Sequence, residues 1–408
     1  MKKIFIIAIM IFSIIVFINV AQYNNPSPEN ITSDTPVVNG NNPTPGDVAS
    51  EKPPVNPPPV TNNMGKWEIY SSNPLISITK PAVGLAPSIA KNAFIQLWND
   101  PSVIKENGGY SMWAALSTNG SPEGVEIYKL TSSDGLNWTV ANNGLPVLKP
   151  GAKGQSADWY GVEIPMVVKA GNTYHMYYGI YKDGNYPILS TAHATSPDGI
   201  NWTKKGELTS ITSMVGNPDG NPWGWLARGE AAATYINGTF YLYLTDVKCR
   251  TEGCKGTPKA HRGISLFTSK DGHNFTQTGS APVLLQTASY PASQGWEGYS
   301  TPWVYHNGQT FELYVDVWKT IGDQSNQTAL AHYRSKDGIN FTEVETNFIN
   351  EKSQSWASQA VRAPSVIEDG GKLKMWYAGD GLIPGKFGPN ELKSGKVQIG
   401  IGYAEKSL

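Results

Sequence analysis

The sequence predicts an all-β fold, a five-bladed β-propeller whose last blade is completed by a strand from the start of the folded region. Three observations predict it: a turn motif that recurs four times, a strand pair that recurs five times, and a composition suited to short strands and tight turns. The chain has 408 residues with 13 Trp, 20 Tyr, 42 Gly and 29 Pro, and shows no long pattern of helical period.

The elements follow in chain order. Lys2 and Lys3 precede an apolar run from Ile4 to Ile18, and Ala21 is small. That order of charge, apolar core and small residue reads residues 1–21 as a secretory signal peptide or N-terminal anchor. Residues 22–64 are rich in Pro, Asn, Ser, Thr and Gly, with Pro53, Pro54, Pro57, Pro58 and Pro59 clustered. Such a segment buries too little apolar surface to offset its ordering entropy, so it reads as a disordered, proline-stiffened linker. The protein is therefore expected outside the cytoplasm, secreted or tethered at the cell surface, with the N-terminal segment as the membrane tether. A net charge of -1 with 16% charged residues argues against a nucleic-acid partner, which bulk electrostatics could not hold.

Residues 65–408 exceed what one hydrophobic core usually supports, so a repeat is expected. Ser133-Asp134-Gly135-Leu136-Asn137-Trp138 returns around Asp198-Gly199, Asp271-Gly272 and Asp337-Gly338. Asp-Gly between β-rich runs predicts a tight primed hairpin turn, because Gly accepts a positive φ. About 30 residues ahead of each turn lies a strand pair. Pro101-Ser102-Val103-Ile104 with Tyr110 to Trp113 aligns with Pro165 to Tyr177, Ala231 to Tyr243, Pro302 to Tyr314 and Pro364 to Tyr377. The second strands carry Trp113, Tyr177, Tyr243, Tyr314 and Trp376, expected as core between blades. The fifth unit lacks its turn, and Trp67-Glu68-Ile69-Tyr70 resembles the strand after it, so this segment is expected to supply the outermost strand of the last blade. Cys249 and Cys254 are expected to form one small disulfide in an oxidising compartment.

In a propeller the first strand of each blade lines the axis. Just before the aligned Pro stand Asn99-Asp100, Glu163-Ile164, Gly229-Glu230, Ser300-Thr301 and Arg362-Ala363. Asp100, Glu163 and Glu230 should therefore meet near Arg362, raising one another's pKa values. Paired carboxylates across a sugar ring are what glycosidic cleavage requires. Aromatics ahead of the inner strands, Trp98, Trp159, Tyr160, Trp223, Trp225, Trp296 and Tyr299, are expected to stack on sugar, with Glu297 and Arg362 as further binding residues.

Asn99-Asp100-Pro101-Ser102-Val103-Ile104, with the Gly-Tyr strand that follows, resembles the first-blade motif of glycoside hydrolase family 43, whose clan also holds family 32. The resemblance implies Asp100 as base, Glu230 as acid and Glu163 as the carboxylate that tunes the acid. Glu163-Ile164-Pro165 is also similar to the acid's usual setting, so the roles of Glu163 and Glu230 stand open to exchange. The Arg-Asp-Pro and Glu-Cys motifs of family 32 are absent. The expected function is an exported glycoside hydrolase acting on a polysaccharide or oligosaccharide by an inverting mechanism. The alternatives are a non-catalytic carbohydrate-binding propeller and, third, a phosphorylase. No cofactor is expected, and funnel carboxylates leave a structural calcium ion open.

Overall fold

A computed structural model describes residues 65–408 apart from 93–95, 120–122, 182–188, 213–224, 250–257, 280–281, 323 and 383–396. The N-terminal signal and linker, Trp223, Cys254, and the side chains of Trp225 and Cys249 lie outside what is described, and with them the expected disulfide. Among the described residues no helix is long and apolar enough to cross a membrane.

The protein is all-β and built from antiparallel meanders. Strand β1 (Glu68–Ile69) comes first. One four-stranded sheet follows as β2 (Leu97–Glu106), β3 (Gly109–Ser117), β4 (Glu126–Ser132) and β5 (Thr139–Val140). A second consists of β6 (Gly161–Ala170), β7 (Thr173–Tyr181), β8 (Leu189–Ser196) and β9 (Thr203–Glu207). The next meander is β10 (Trp225–Ile236), β11 (Thr239–Cys249), β12 (Ala260–Ser269) and β13 (Thr276–Gln277). After it come β14 (Trp296–His306), β15 (Phe311–Ile321), β16 (Gln324–Ser335) and β17 (Thr342–Asn350). These two meanders join into one eight-stranded sheet through a single parallel bridge, Arg262 to Gly298. The chain ends in β18 (Ala360–Asp369), β19 (Lys372–Leu382) and β20 (Val397–Ser407). Strand β1 pairs with β20, Glu68 opposite Glu405, and so forms the outer edge of this last sheet.

The first strands pack side by side: β2 on β6, β6 on β10, β10 on β14, β14 on β18, and β18 back on β2. Between the sheets lie the aromatic side chains of the second strands. Trp113, Tyr177, Tyr243, Tyr314 and Trp376 are all fully buried, and each such ring contributes on the order of a few kcal/mol through the area it removes from water.

The Asp-Gly motif has a different geometry from a two-residue primed hairpin. Strand β4 ends at Ser132 and β5 begins at Thr139, so the connection is longer. Gly135 has a φ of 79° while Asp134 keeps a negative φ, which excludes a primed turn with both central residues left-handed. The Asp134 carboxylate instead organises the loop. It accepts the N–H groups of Leu136 and Asn137 at 2.8 Å each and the Asn137 amide at 2.8 Å. Asp198, Asp271 and Asp337 repeat the pattern. The turn also joins meanders, because its Gly carbonyl accepts from the neighbouring aromatic. Trp113 donates to Gly199 at 2.9 Å, Tyr177 to Gly272 at 2.8 Å, Tyr243 to Gly338 at 2.8 Å, and Trp376 to Gly135 at 2.8 Å.

Candidate active site

Each first strand is interrupted at the same place. The ladders skip between Asn99 and Ser102, Glu163 and Met166, Gly229 and Ala231, Ser300 and Trp303, and Arg362 and Ser365. At each skip one residue has a left-handed backbone: Asp100 (φ 53°), Ile164 (48°), Glu230 (52°), Thr301 (36°) and Ala363 (48°). Four of these precede a proline, which has no N–H to give the ladder and is tolerated where pairing lapses. Such a bulge re-aims the side chains around it. Non-glycine residues at positive φ carry backbone strain, which gathers at functional positions.

The bulges bring the expected charged residues together. Asp100 is 4% exposed, and its Oδ2 has no hydrogen-bond partner. Burial lifts its carboxyl to about 7; the Arg362 guanidinium opposes the rise, and Glu230, Asp380 and Asp316 add to it. Glu163 is 2% exposed and accepts from the Tyr181 hydroxyl through Oε1. Burial first, then the charge of Asp100, holds it well above the usual carboxylate range. Glu230 is half-buried, the most open of the three, and its Oε2 accepts the Thr301 N–H at 3.3 Å. Arg362 is fully buried, with Nη1 2.5 Å from Asp380 Oδ1. This contact is an ion pair without the alignment of a hydrogen bond. Asp100 therefore feels the charge of Glu230, and Glu163 feels those of Asp100 and Glu230, while one cation offsets part of both.

Two carboxylates not singled out from the sequence complete the cluster. Asp316 on β15 is buried and pushed up to about 7, by burial and then by the Glu230 charge. Asp380 on β19 is buried, and burial raises it against the pull of Arg362. A signal for both existed in the sequence. Each is an acid within an apolar or small-residue stretch of its strand, Tyr314-Val315-Asp316-Val317-Trp318 and Trp376-Tyr377-Ala378-Gly379-Asp380.

The remaining expected binding residues divide into two groups. Trp159 and Tyr160 are half-buried ahead of β6, edge to face at 5.3 Å, with Lys153 Nζ 5.1 Å from the Trp159 ring. Trp296 is half-buried, packed on Tyr290 and covered by Lys319 Nζ at 4.6 Å. Trp98, Tyr299 and Glu297 are fully buried, which corrects the expectation that they present a face to a ligand. Trp98 packs edge-on against Tyr128, inside a hydrophobic core. The Tyr299 hydroxyl meets those of Tyr333 at 2.7 Å and Thr287 at 2.9 Å. Glu297 lies on β14; it pairs with Arg262 Nε at 2.9 Å and accepts the Thr320 hydroxyl at 2.6 Å. That pair sits at the parallel bridge from Arg262 to Gly298 and ties two meanders together. Among the described residues no group of three or more His, Cys, Asp or Glu side chains is arranged to hold a metal ion.

No family model matches the chain. No curated protein matches it either. Solved structures do. A complex of BT0996 with RGII has a TM-score of 0.58 at 14% identity, covering 79% of this chain and 90% of its own. A family 117 glycoside hydrolase, Zg3597 from the marine bacterium Zobellia galactanivorans, has a TM-score of 0.55 at 15% identity, with coverage of 84% and 90%. A thermostable family-43 glycoside hydrolase has a TM-score of 0.51 at 16% identity, with coverage of 76% and 90%. At such identities the likeness is one of fold: the chain shares its architecture with solved glycoside hydrolases over most of their length.

Proposed function

We propose that the protein is an exported glycoside hydrolase, a five-bladed propeller whose bulged inner strands form an acidic site for a poly- or oligosaccharide. The observation that carries this reading is the bulge repeated in five first strands, which gathers Asp100, Glu163, Glu230 and Arg362. The cyclic packing of β2, β6, β10, β14 and β18 supports the blade count. The fold shared with glycoside hydrolases supports the reaction class. Trp159, Tyr160 and Trp296, the half-buried rings, are the sugar platforms in this reading.

Chemically, an inverting cleavage needs a base that takes a proton from water and an acid that gives one to the leaving oxygen, on opposite faces of the ring. Asp100 is the base. Its unpartnered Oδ2 is free to accept a water proton, and a value of about 7 matches a base that works near neutrality. Glu230 is the acid, because its partial exposure lets it reach a leaving group. Glu163, almost fully buried and held by Tyr181, tunes the acid. Inversion further requires a carboxyl separation of roughly 6.5–9.5 Å between base and acid.

The test is sugar release by wild type and Asp100→Asn from a broad glycan panel, with NMR of the first-formed anomer. Release by the wild type, inverted configuration and its loss in Asp100→Asn support the reading. Glycan binding without release by either protein would identify a binding module instead. Release that depends on added phosphate would identify a phosphorylase.

A further inference from the structure

We propose that Asp316 is the positioning residue for Glu230, acting through Thr301. The inference rests on the reading of Glu230 as proton donor and concerns a residue outside the repeat.

The second strands place a small side chain opposite the bulge position in four of the five meanders. Ala115 faces Asn99, Gly179 faces Glu163, Thr245 faces Gly229, and Ala378 faces Arg362. The fourth meander departs from this rule, with Asp316 opposite Ser300. The architecture therefore does not require an acid there, and burying one is costly unless its oxygens are satisfied. They are satisfied by neutral donors. Ser300 Oγ donates to Oδ1 at 2.5 Å, Gln327 Nε2 to Oδ2 at 2.9 Å, and the Thr301 hydroxyl also to Oδ2.

Thr301 is the link. It is β-branched and sits at a φ of 36°, a conformation that such a side chain rarely adopts without outside support. Asp316 supplies that support by accepting the Thr301 hydroxyl proton, while the hydroxyl oxygen of Thr301 accepts the Ala363 N–H at 3.3 Å. With its hydroxyl held between Asp316 and the backbone of β18, Thr301 directs its own N–H to Glu230 Oε2 at 3.3 Å. The chain of contacts thus runs from Asp316 through Thr301 to the carboxylate of a different meander. A shift of that carboxylate by about 1 Å is enough to cost roughly a hundredfold in a proton transfer that depends on alignment.

Asp316→Asn, Thr301→Val and Thr301→Ser test this, the last keeping the hydroxyl. The probes are matched phenyl and 2,4-dinitrophenyl glycosides of the sugar that the wild type releases; the second leaving group departs without a proton. Asp316→Asn and Thr301→Val are expected to lose about 100-fold in kcat on the phenyl glycoside. Both should stay within about threefold of wild type on the dinitrophenyl glycoside, with KM unchanged, and Thr301→Ser should stay near wild type on both. Equal losses on the two glycosides, or no loss, would overturn the inference. Crystal structures of Asp316→Asn and Thr301→Val give a readout independent of turnover. A Glu230 carboxylate displaced from the residue 301 amide sustains the positioning role, and one left in place refutes it. If the wild type cleaves no glycoside at all, the glycosidase reading falls and the crystallographic comparison alone decides the role of Asp316. If Asp316→Asn does not fold, Thr301→Val carries the same comparison.

Discussion

The indole N–H of Trp376 donates to the carbonyl of Gly135 at 2.8 Å, joining the second strand of the last sheet to the turn between the last two strands of the first sheet, 241 residues away in sequence. Around this contact Trp138 meets Trp376 edge to face at 6.0 Å, and Tyr110 lies against the same ring at 5.5 Å. The bond recurs between other neighbouring meanders, but here it spans the two ends of the folded region.

Breaking that bond should therefore loosen the whole fold. Trp376→Phe is expected to lower stability by about 1–3 kcal/mol or more, since it strands a buried carbonyl and leaves a void. Gly135→Ala should also destabilise, because the new methyl would lie 2.9 Å from Trp376 Cζ2 at a φ of +79°. Denaturant unfolding of both variants checks this. Stabilities within a few tenths of a kcal/mol of wild type would show that the contact carries no weight.

Stability should depend on pH through Asp100. Its folded value of about 7 lies above its ordinary 3.8, so between those values the folded protein binds more protons than the unfolded chain. The neutral carboxyl therefore costs nothing extra below about pH 4, and the charged form progressively destabilises the fold up to about pH 7. The melting temperature of Asp100→Asn relative to wild type should rise across that window, by an amount on the order of a few kcal/mol in free energy. A difference that is flat from pH 4 to 8 would contradict the assignment.

The same ionisation should shape activity. If Asp100 is the base, kcat/KM should fall about tenfold per pH unit below pH 7, as the base becomes protonated. Asp100→Asn should abolish turnover while circular dichroism stays that of the folded protein. An acid limb near pH 4 in the wild type would assign the base elsewhere.

Glu297 should behave as a structural acid. Its removal leaves Arg262 buried without its partner, and the guanidinium also stacks on Trp318 at 3.6 Å. Glu297→Gln is expected to lose about 3–5 kcal/mol of stability. A raised KM with an unchanged melting temperature would instead return Glu297 to the binding site.

Much of this was legible in the residues. The Asp-Gly motif marked the turns, and the spacing of Pro101, Pro165, Pro302 and Pro364 marked the bulged strands and the pairs Asn99-Asp100 through Arg362-Ala363. The likeness of Trp67-Glu68-Ile69-Tyr70 to a fourth strand put β1 at the edge beside β20. These features are local, because turn chemistry and strand alternation are decided within a few residues.

Other assignments failed where a contact joins distant segments. Trp98, Tyr299 and Glu297 look like funnel residues by position, yet their side chains turn into cores and an ion pair formed with β4, β16 and β12. Asp316 stands in an apolar stretch of β15 and acquires a role only when Ser300, Thr301 and Gln327 are folded around it.

By itself the sequence determined the order of strands and turns, and which acids would stand on first strands, since propensity and periodicity act along the chain. Tertiary structure alone decided which of those acids lie close enough to perturb one another, and which rings remain open to solvent. Burial and Coulomb coupling depend on distances between sheets, and no pattern along a single strand contains them.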